Sequence, residues 1–192
     1  ENHGKYGQFI YTSRQDALYV NLFTASELNW KAKGVVLRQE TAFPYDETSK
    51  ITITKGKGQF KLLVRYPGWV KPGDFKISVN GKPVTLITGP SSYVCIDRQW
   101  KKGDVVDVTF PMHNSIKYQP NTPQYIAIMH GPVLLGMKTG TEDLAHLVAD
   151  DSRFGQYAGG KKLPVDKAPI LINNDIESIA TQLTPIPGKP LH

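Results

Sequence analysis

Phe75-Lys76-Ile77-Ser78-Val79-Asn80-Gly81-Lys82-Pro83-Val84 is the stretch that decides the fold class. Phe75, Ile77 and Val79 alternate with Lys76 and Ser78, the period-two pattern of a strand with one buried face. Asn80-Gly81 then supplies two residues that tolerate positive φ, which a type I′ turn requires at both central positions. Lys82-Pro83-Val84 returns along the first run, so the whole reads as an antiparallel hairpin.

The same texture extends in both directions. Leu18 to Phe23, Lys33 to Thr41 and Lys50 to Thr54 read as strands upstream. Gln59 to Tyr66 places Phe60, Leu62 and Val64 on one face and stops at Pro67-Gly68. Downstream strands are predicted at Tyr93 to Asp97, Val105 to Phe110, Ser115 to Tyr118 and Tyr125 to Met137. Many short strands punctuated by Gly, Pro and Asp, with no long helical period between them, predict an all-β fold: an antiparallel, jelly-roll-like β-sandwich. Two helical segments break the pattern, a short N-terminal remnant near Asn2 to Phe9 and a helix at Ile176 to Gln182. The expected organisation is 1–16 as the tail of an upstream domain and its linker, 17–138 as the sandwich, and 139–192 as an extended C-terminal arm or the start of a further domain. The opening Glu1-Asn2-His3-Gly4-Lys5-Tyr6 reads as a chain entered part-way through a larger protein.

Composition narrows the function classes. At 192 residues, 40% hydrophobic and 21% charged, the chain has the make-up of a globular domain. No apolar run approaches the roughly 18 residues of a membrane span, so no membrane partner is expected. The net charge of +6 is spread over short groups such as Lys31/Lys33, Lys55/Lys57 and Lys101/Lys102, each beside a turn. That scatter fits solvated turns, and no nucleic-acid motif accompanies it, so no nucleic-acid partner is expected.

Candidate chemistry is sparse. His3, His113, His130, His146 and His192 show no His-x-x-x-His spacing, and the single Cys95 builds no cysteine cage, so no metal is expected in this chain. Cys95, inside an alternating run, is expected to be a small buried apolar residue. Asp46-Glu47, Glu142-Asp143 and Asp150-Asp151 are carboxylate pairs of the kind glycoside hydrolysis uses, but all sit in turn-like contexts. No catalytic residue is expected. The remaining candidates are aromatic. Trp30, Trp69 and Trp100, with Tyr45, Tyr66, Tyr93 and Tyr118, suit either core packing or a platform for stacking sugars, and packing is the stronger reading.

Several stretches together resemble the β-L-arabinofuranosidases of glycoside hydrolase family 127. They include Leu18-Tyr-Val-Asn-Leu-Phe, Ala25-Ser-Glu-Leu-Asn-Trp, Arg38-Gln-Glu-Thr-Ala-Phe-Pro, Val64-Arg-Tyr-Pro-Gly-Trp, Arg98-Gln-Trp-Lys-Lys-Gly-Asp and His130-Gly-Pro-Val-Leu-Leu. The resemblance implies a catalytic α/α-barrel followed by β-sandwich domains, with a cysteine nucleophile on a zinc held by cysteines and a glutamate. In the subgroup this chain resembles, the adjacent cysteine pair precedes the Glu1-Asn2-His3 run, and Cys95 matches none of the zinc cysteines. The resemblance therefore implies a non-catalytic C-terminal sandwich region of a retaining glycosidase, partnered by its own upstream barrel. Zinc is expected in that barrel and no cofactor here. A bacterial periplasmic or secreted parent is expected, and a carbohydrate-binding module is the alternative role.

Overall fold

The computed structural model describes residues 3–136, 170, 172, 175–187 and 191. A 3-10 turn at His3–Lys5 leads into a one-turn helix, α1 (Tyr6–Phe9), and then the strands begin. They are β1 (Tyr11–Arg14), β2 (Ala17–Val20), β3 (Ser26–Trp30), β4 (Val35–Glu40), β5 (Thr48–Lys55) and β6 (Lys57–Tyr66). After a loop come β7 (Lys76–Val79), β8 (Lys82–Pro83), β9 (Ser92–Lys101) and β10 (Val105–Thr109). Last are β11 (Asn114–Gln119), β12 (Thr122–His130), β13 (Val133–Leu135) and a second helix, α2 (Ile176–Gln182).

The first ten strands make two facing sheets, one ordered β1-β2-β6-β9 and the other β3-β4-β5-β10-β7-β8. Leu18, Val20, Phe60, Leu62, Val64, Val94, Ile96 and Trp100 from the first meet Val35, Leu37, Ile51, Ile53, Ile77, Val79, Val106 and Val108 from the second in one core. That shared core makes the fold a sandwich, as the alternation predicts. Pairing is antiparallel except for β2 with β6, where Leu18 stands opposite Leu62 in parallel register. The parallel pair arises because the chain crosses to the second sheet for β3, β4 and β5 before returning.

The β7–β8 hairpin turns where expected. Asn80 and Gly81 have φ of 51° and 76°, both in the left-handed region. Asn80 also serves a second purpose. Its Nδ2 donates to Asp104 Oδ1 at 2.9 Å, and its Oδ1 accepts from the Val105 amide at 2.8 Å. Asp104 is buried and also accepts from the Lys101 amide at 2.9 Å, with Arg98 Nη2 at 3.7 Å. Burial pushes its carboxyl up, but the bonds from Asn80 and Lys101 and the nearby cations hold it below its ordinary value. One buried carboxylate thus ties the hairpin turn to the β9–β10 turn. At the β5–β6 turn, Gly56 has φ of 86°, and a Cβ there would collide with the Gly34 carbonyl.

Several expectations need correction. The first sheet starts at Tyr11, ahead of the predicted Ala17, because β1 pairs residue for residue with β2. Strand β3, absent from the sequence reading, pairs with β4 from Ser26↔Gln39 to Trp30↔Val35. The predicted Tyr125 to Met137 strand is two strands, split by a turn at Gly131-Pro132. Strands β11, β12 and β13 form a sheet of their own and do not extend the sandwich. Helix α2 is where it was predicted. It is capped by Asp175, packs on β11 and buries Ile179 and Ala180. Most of the expected arm after Thr139 lies outside the described residues.

Candidate functional site

Of the three tryptophans, the sandwich buries two. Trp30 meets the Phe60 ring edge-on at 5.3 Å, and Trp100 stacks on the same ring at 5.6 Å. The Trp100 Nε1–H donates to the Phe60 carbonyl at 2.9 Å, and the Arg98 guanidinium lies 5.2 Å from its ring centroid. With 7% and 0% of their surfaces exposed, Trp30 and Trp100 are core residues and present no face to a sugar. The sugar-platform expectation is corrected for these two. Tyr66 is likewise buried and stacks on Phe75 at 4.5 Å, its hydroxyl donating to the Lys71 carbonyl and accepting from the Gly73 amide.

Trp69 is different. It sits half-buried in the β6–β7 loop at one end of the sandwich, stacked on Phe43 at 6.0 Å with an interplanar angle of 8°. Both rings abut Phe110 edge-on. Phe43 belongs to the β4–β5 loop, residues 41–47, which is pinned at both ends. The Thr41 hydroxyl donates to the Thr48 carbonyl at 2.7 Å and accepts from the Phe43 amide at 3.0 Å. Glu47 Oε1 accepts from the Met112 amide at 2.7 Å, and its backbone carbonyl accepts from the Phe110 amide. Glu47 is therefore a loop lock, and Tyr45 stands 66% exposed on a loop held in place by its neighbours.

The base of this loop opens onto a shallow concavity of about 490 Å³. Ser26 and Glu27 of β3 and Arg38, Glu40 and Thr41 line it. Arg38 Nη2 reaches Glu27 Oε2 at 3.2 Å, so that carboxylate is committed to an exposed ion pair. Gln39 adds little to the surface. It is buried, with Nε2 donating to the Leu22 and Thr24 carbonyls and Oε1 accepting from Ser49. The concavity offers hydrogen bonds to a polyol, and the aromatic end offers Tyr45 and part of Trp69.

A second surface lies at the N-terminal seam. The Asn21 Nδ2 donates to the Phe9 carbonyl at 3.1 Å and to Thr12 Oγ1 at 3.2 Å, and its Oδ1 accepts from the Tyr93 hydroxyl at 2.8 Å. One side chain fastens the end of α1 to the outer face of the first sheet. Tyr6 and Phe9 of α1 are 57% and 55% exposed there. Cys95 is exposed on that outer face, opposite Leu63 in the register. The expectation of a buried Cys95 is corrected: its neighbours Val94 and Ile96 take the inward positions.

The histidines His113 and His130 meet where the sandwich joins the third sheet. His130 Nδ1 lies 2.8 Å from Asn114 Oδ1, and Asn114 Nδ2 donates to the Ala180 carbonyl at 3.0 Å. The asparagine oxygen must accept, so His130 carries its proton on Nδ1. Among the described residues no three His, Cys, Asp or Glu side chains come together as a metal site. Glu142-Asp143, Asp150-Asp151, His146 and His192 lie outside the described residues.

Residues 17–112 match the family profile "Beta-L-arabinofuranosidase, GH127 middle domain", and residues 115–192 match a domain of unknown function. The break between them coincides with the step from the sandwich to the third sheet. No curated protein matches the chain. Among solved structures, a GH127 β-arabinofuranosidase is 34% identical, covering 65% of this chain and 23% of its own, with a TM-score of 0.57. A second glycoside hydrolase is 31% identical over 65% of this chain and 22% of its own (TM-score 0.58). The GH127 β-L-arabinofuranosidase Ara127N-Se of Geobacillus stearothermophilus T6 is 29% identical over 67% and 21% (TM-score 0.58). The matched region thus spans between a fifth and a quarter of each of these proteins. The profile is that of a middle domain, where a C-terminal region was expected. The profile covers half of the chain and the whole of the sandwich core: this chain belongs to glycoside hydrolase family 127, with its sandwich as the family's middle domain.

Proposed function

We propose that this chain is a non-catalytic part of a retaining glycosidase, a β-L-arabinofuranosidase acting on plant-type glycans, and that its sandwich packs on the catalytic α/α-barrel. The observation that carries this reading is the match of the sandwich to about a fifth of the length of family-127 hydrolases. The seam supports the packing role. Asn21 bonds the end of α1 to the sheet, and Phe9 of α1 is 55% exposed there, which suits burial against a second domain. The zinc and the cysteine nucleophile of such an enzyme belong, on this reading, to the barrel.

A second reading has its own observation. Tyr45 is exposed on a pinned loop whose base, at Thr41, lines the concavity, and an exposed ring so held can stack on a sugar. One pair of assays separates the two. The 192-residue chain and its full-length parent are compared on p-nitrophenyl α- and β-L-arabinofuranosides with zinc added. A silent fragment beside an active parent supports the accessory role, and zinc-dependent hydrolysis by the fragment overturns it. Titration of the fragment with arabinan and arabinoxylan fragments then tests Tyr45 and Trp69. An unchanged tryptophan emission removes the binding reading.

A further inference from the structure

The third sheet carries a concavity of its own, unrelated to the sandwich end. It is about 260 Å³ and is lined by Lys117, Tyr118 and Gln119 of β11 and Tyr125, Ile126 and Ala127 of β12. Its shape comes from a break in register. Tyr118 pairs with Ile126, but Gln119 pairs with Thr122, so β12 carries three extra residues, 123–125, across a single step of β11. A bulge of this kind re-aims side chains that strict alternation would send to opposite faces. It brings Tyr118 and Tyr125, 45% and 42% exposed, to the rim of one depression. Thr122, which borders the bulge, has its hydroxyl shut away from solvent with no hydrogen-bond partner among the described residues. A buried hydroxyl left without a partner costs stability.

Tyr118 is also fixed in place. Its hydroxyl donates to Glu177 Oε1 of α2 at 2.8 Å, which makes the phenol harder to ionise and holds the ring against the sheet. We propose that this depression is a binding subsite for one ring of a neutral saccharide. The two tyrosine rings offer flat apolar faces to sugar C–H groups. Lys117 and Gln119 offer donors and an amide oxygen to its hydroxyls. The lining carries one cation, Lys117, and its other polar groups are two phenols and an amide, which suit the hydroxyls of a polyol. The volume is below the roughly 300–1,000 Å³ of pockets that enclose a drug-sized ligand. That suits a single exposed ring, held weakly and made useful by linkage to a second site on the same polysaccharide. The subsite stands apart from the packing role proposed for the sandwich and does not depend on it.

The test is a titration of the isotope-labelled 192-residue chain with L-arabinose, arabino-oligosaccharides and cello-oligosaccharides, read by amide and tyrosine-ring NMR shifts. Saturable shifts confined to residues 117–119 and 125–127 with at least one series are the expected result. Tyr125→Leu keeps the apolar bulk and removes the ring, and should weaken binding by about 2- to 12-fold, the worth of one aromatic contact. Trp69→Ala should leave these shifts unchanged. Absence of shifts at these residues with all three sugars overturns the proposal, as does binding that Tyr125→Leu leaves intact. A spectrum of Tyr125→Leu that matches wild type away from the depression shows that the variant is folded.

Discussion

The six-stranded sheet and the three-stranded sheet are both rich in apolar residues, yet these end in different surroundings. In the first, Leu37, Ile51, Ile53, Val106 and Val108 are sealed against the facing sheet, none with more than 1% of its surface exposed. In the second, Ile116, Ile126, Ile128, Met129, Val133 and Leu135 are only half-buried, and Leu134 is 63% exposed. Helix α2 covers part of it, through Ile179 and Ala180. Alternation tells that a strand has an apolar face. It does not tell whether the same chain supplies the cover.

The harshest challenge to this comparison is a pair of truncations. Trp100→Ala removes a fully buried indole, its bond to the Phe60 carbonyl and the contact with Arg98. A loss of about 3–5 kcal/mol is expected, as for other large aromatic deletions in a core. Leu134→Ala should change stability by less than about 0.5 kcal/mol, as exposed substitutions do. Urea titrations of both variants decide the matter. A Leu134→Ala cost approaching that of Trp100→Ala would mean the third sheet has a core after all.

A subtler variant asks whether the third sheet is held by polar bonds where apolar cover is thin. Asn114→Ala leaves His130 Nδ1 and the Ala180 carbonyl without their partner. The expected cost is about 1–3 kcal/mol, felt locally. Hydrogen exchange should speed up in α2 and β12 while β6 and β9 stay protected. Equal loss of protection in the sandwich would show that the two regions unfold as one.

How much of this contrast could be read from the chain alone depended on whether a feature is local. The Asn80-Gly81 turn and the Asp175-capped helix at Ile176 to Gln182 were legible because each is specified by neighbouring residues. Strand β3 was not, since Ser26-Glu27-Leu28-Asn29-Trp30 has low β-propensity and draws its order from pairing with β4. The membership of β11–β13 in a separate sheet was also hidden, because pairing partners are chosen by tertiary context. Cys95 was misplaced although the signal was present: with Val94 and Ile96 pointing inward, alternation already sends it outward. For the aromatics, sequence could not distinguish Trp100 from Trp69. A tryptophan in a strand and one after Pro67-Gly68 differ in surroundings, and the pinning of the Tyr45 loop by Thr41 and Glu47 is visible only in three dimensions.

The smallest expected effect lies on the joint between the two regions. His113 is partly buried on the link from β10 to β11, and its backbone carbonyl accepts from the Gly131 amide. Burial first, then the charges of Lys71 and His130, hold its imidazole below the ordinary value of 6.5, while Asp74 pulls the other way. The unfolded chain therefore takes up this proton at a higher pH than the folded one. Above about 6.5 both states are neutral and the contribution to stability is intact. As the pH falls from there towards the folded value, protonation favours the unfolded chain, and the contribution is lost. Solvent at this half-open site keeps the loss small. Denaturation midpoints at pH 7.5 and 5.5 measure it, and His113→Gln should narrow the difference between them. If the variant keeps the whole difference, acid acts elsewhere, and the joint between the sandwich and the third sheet is not where the chain feels pH.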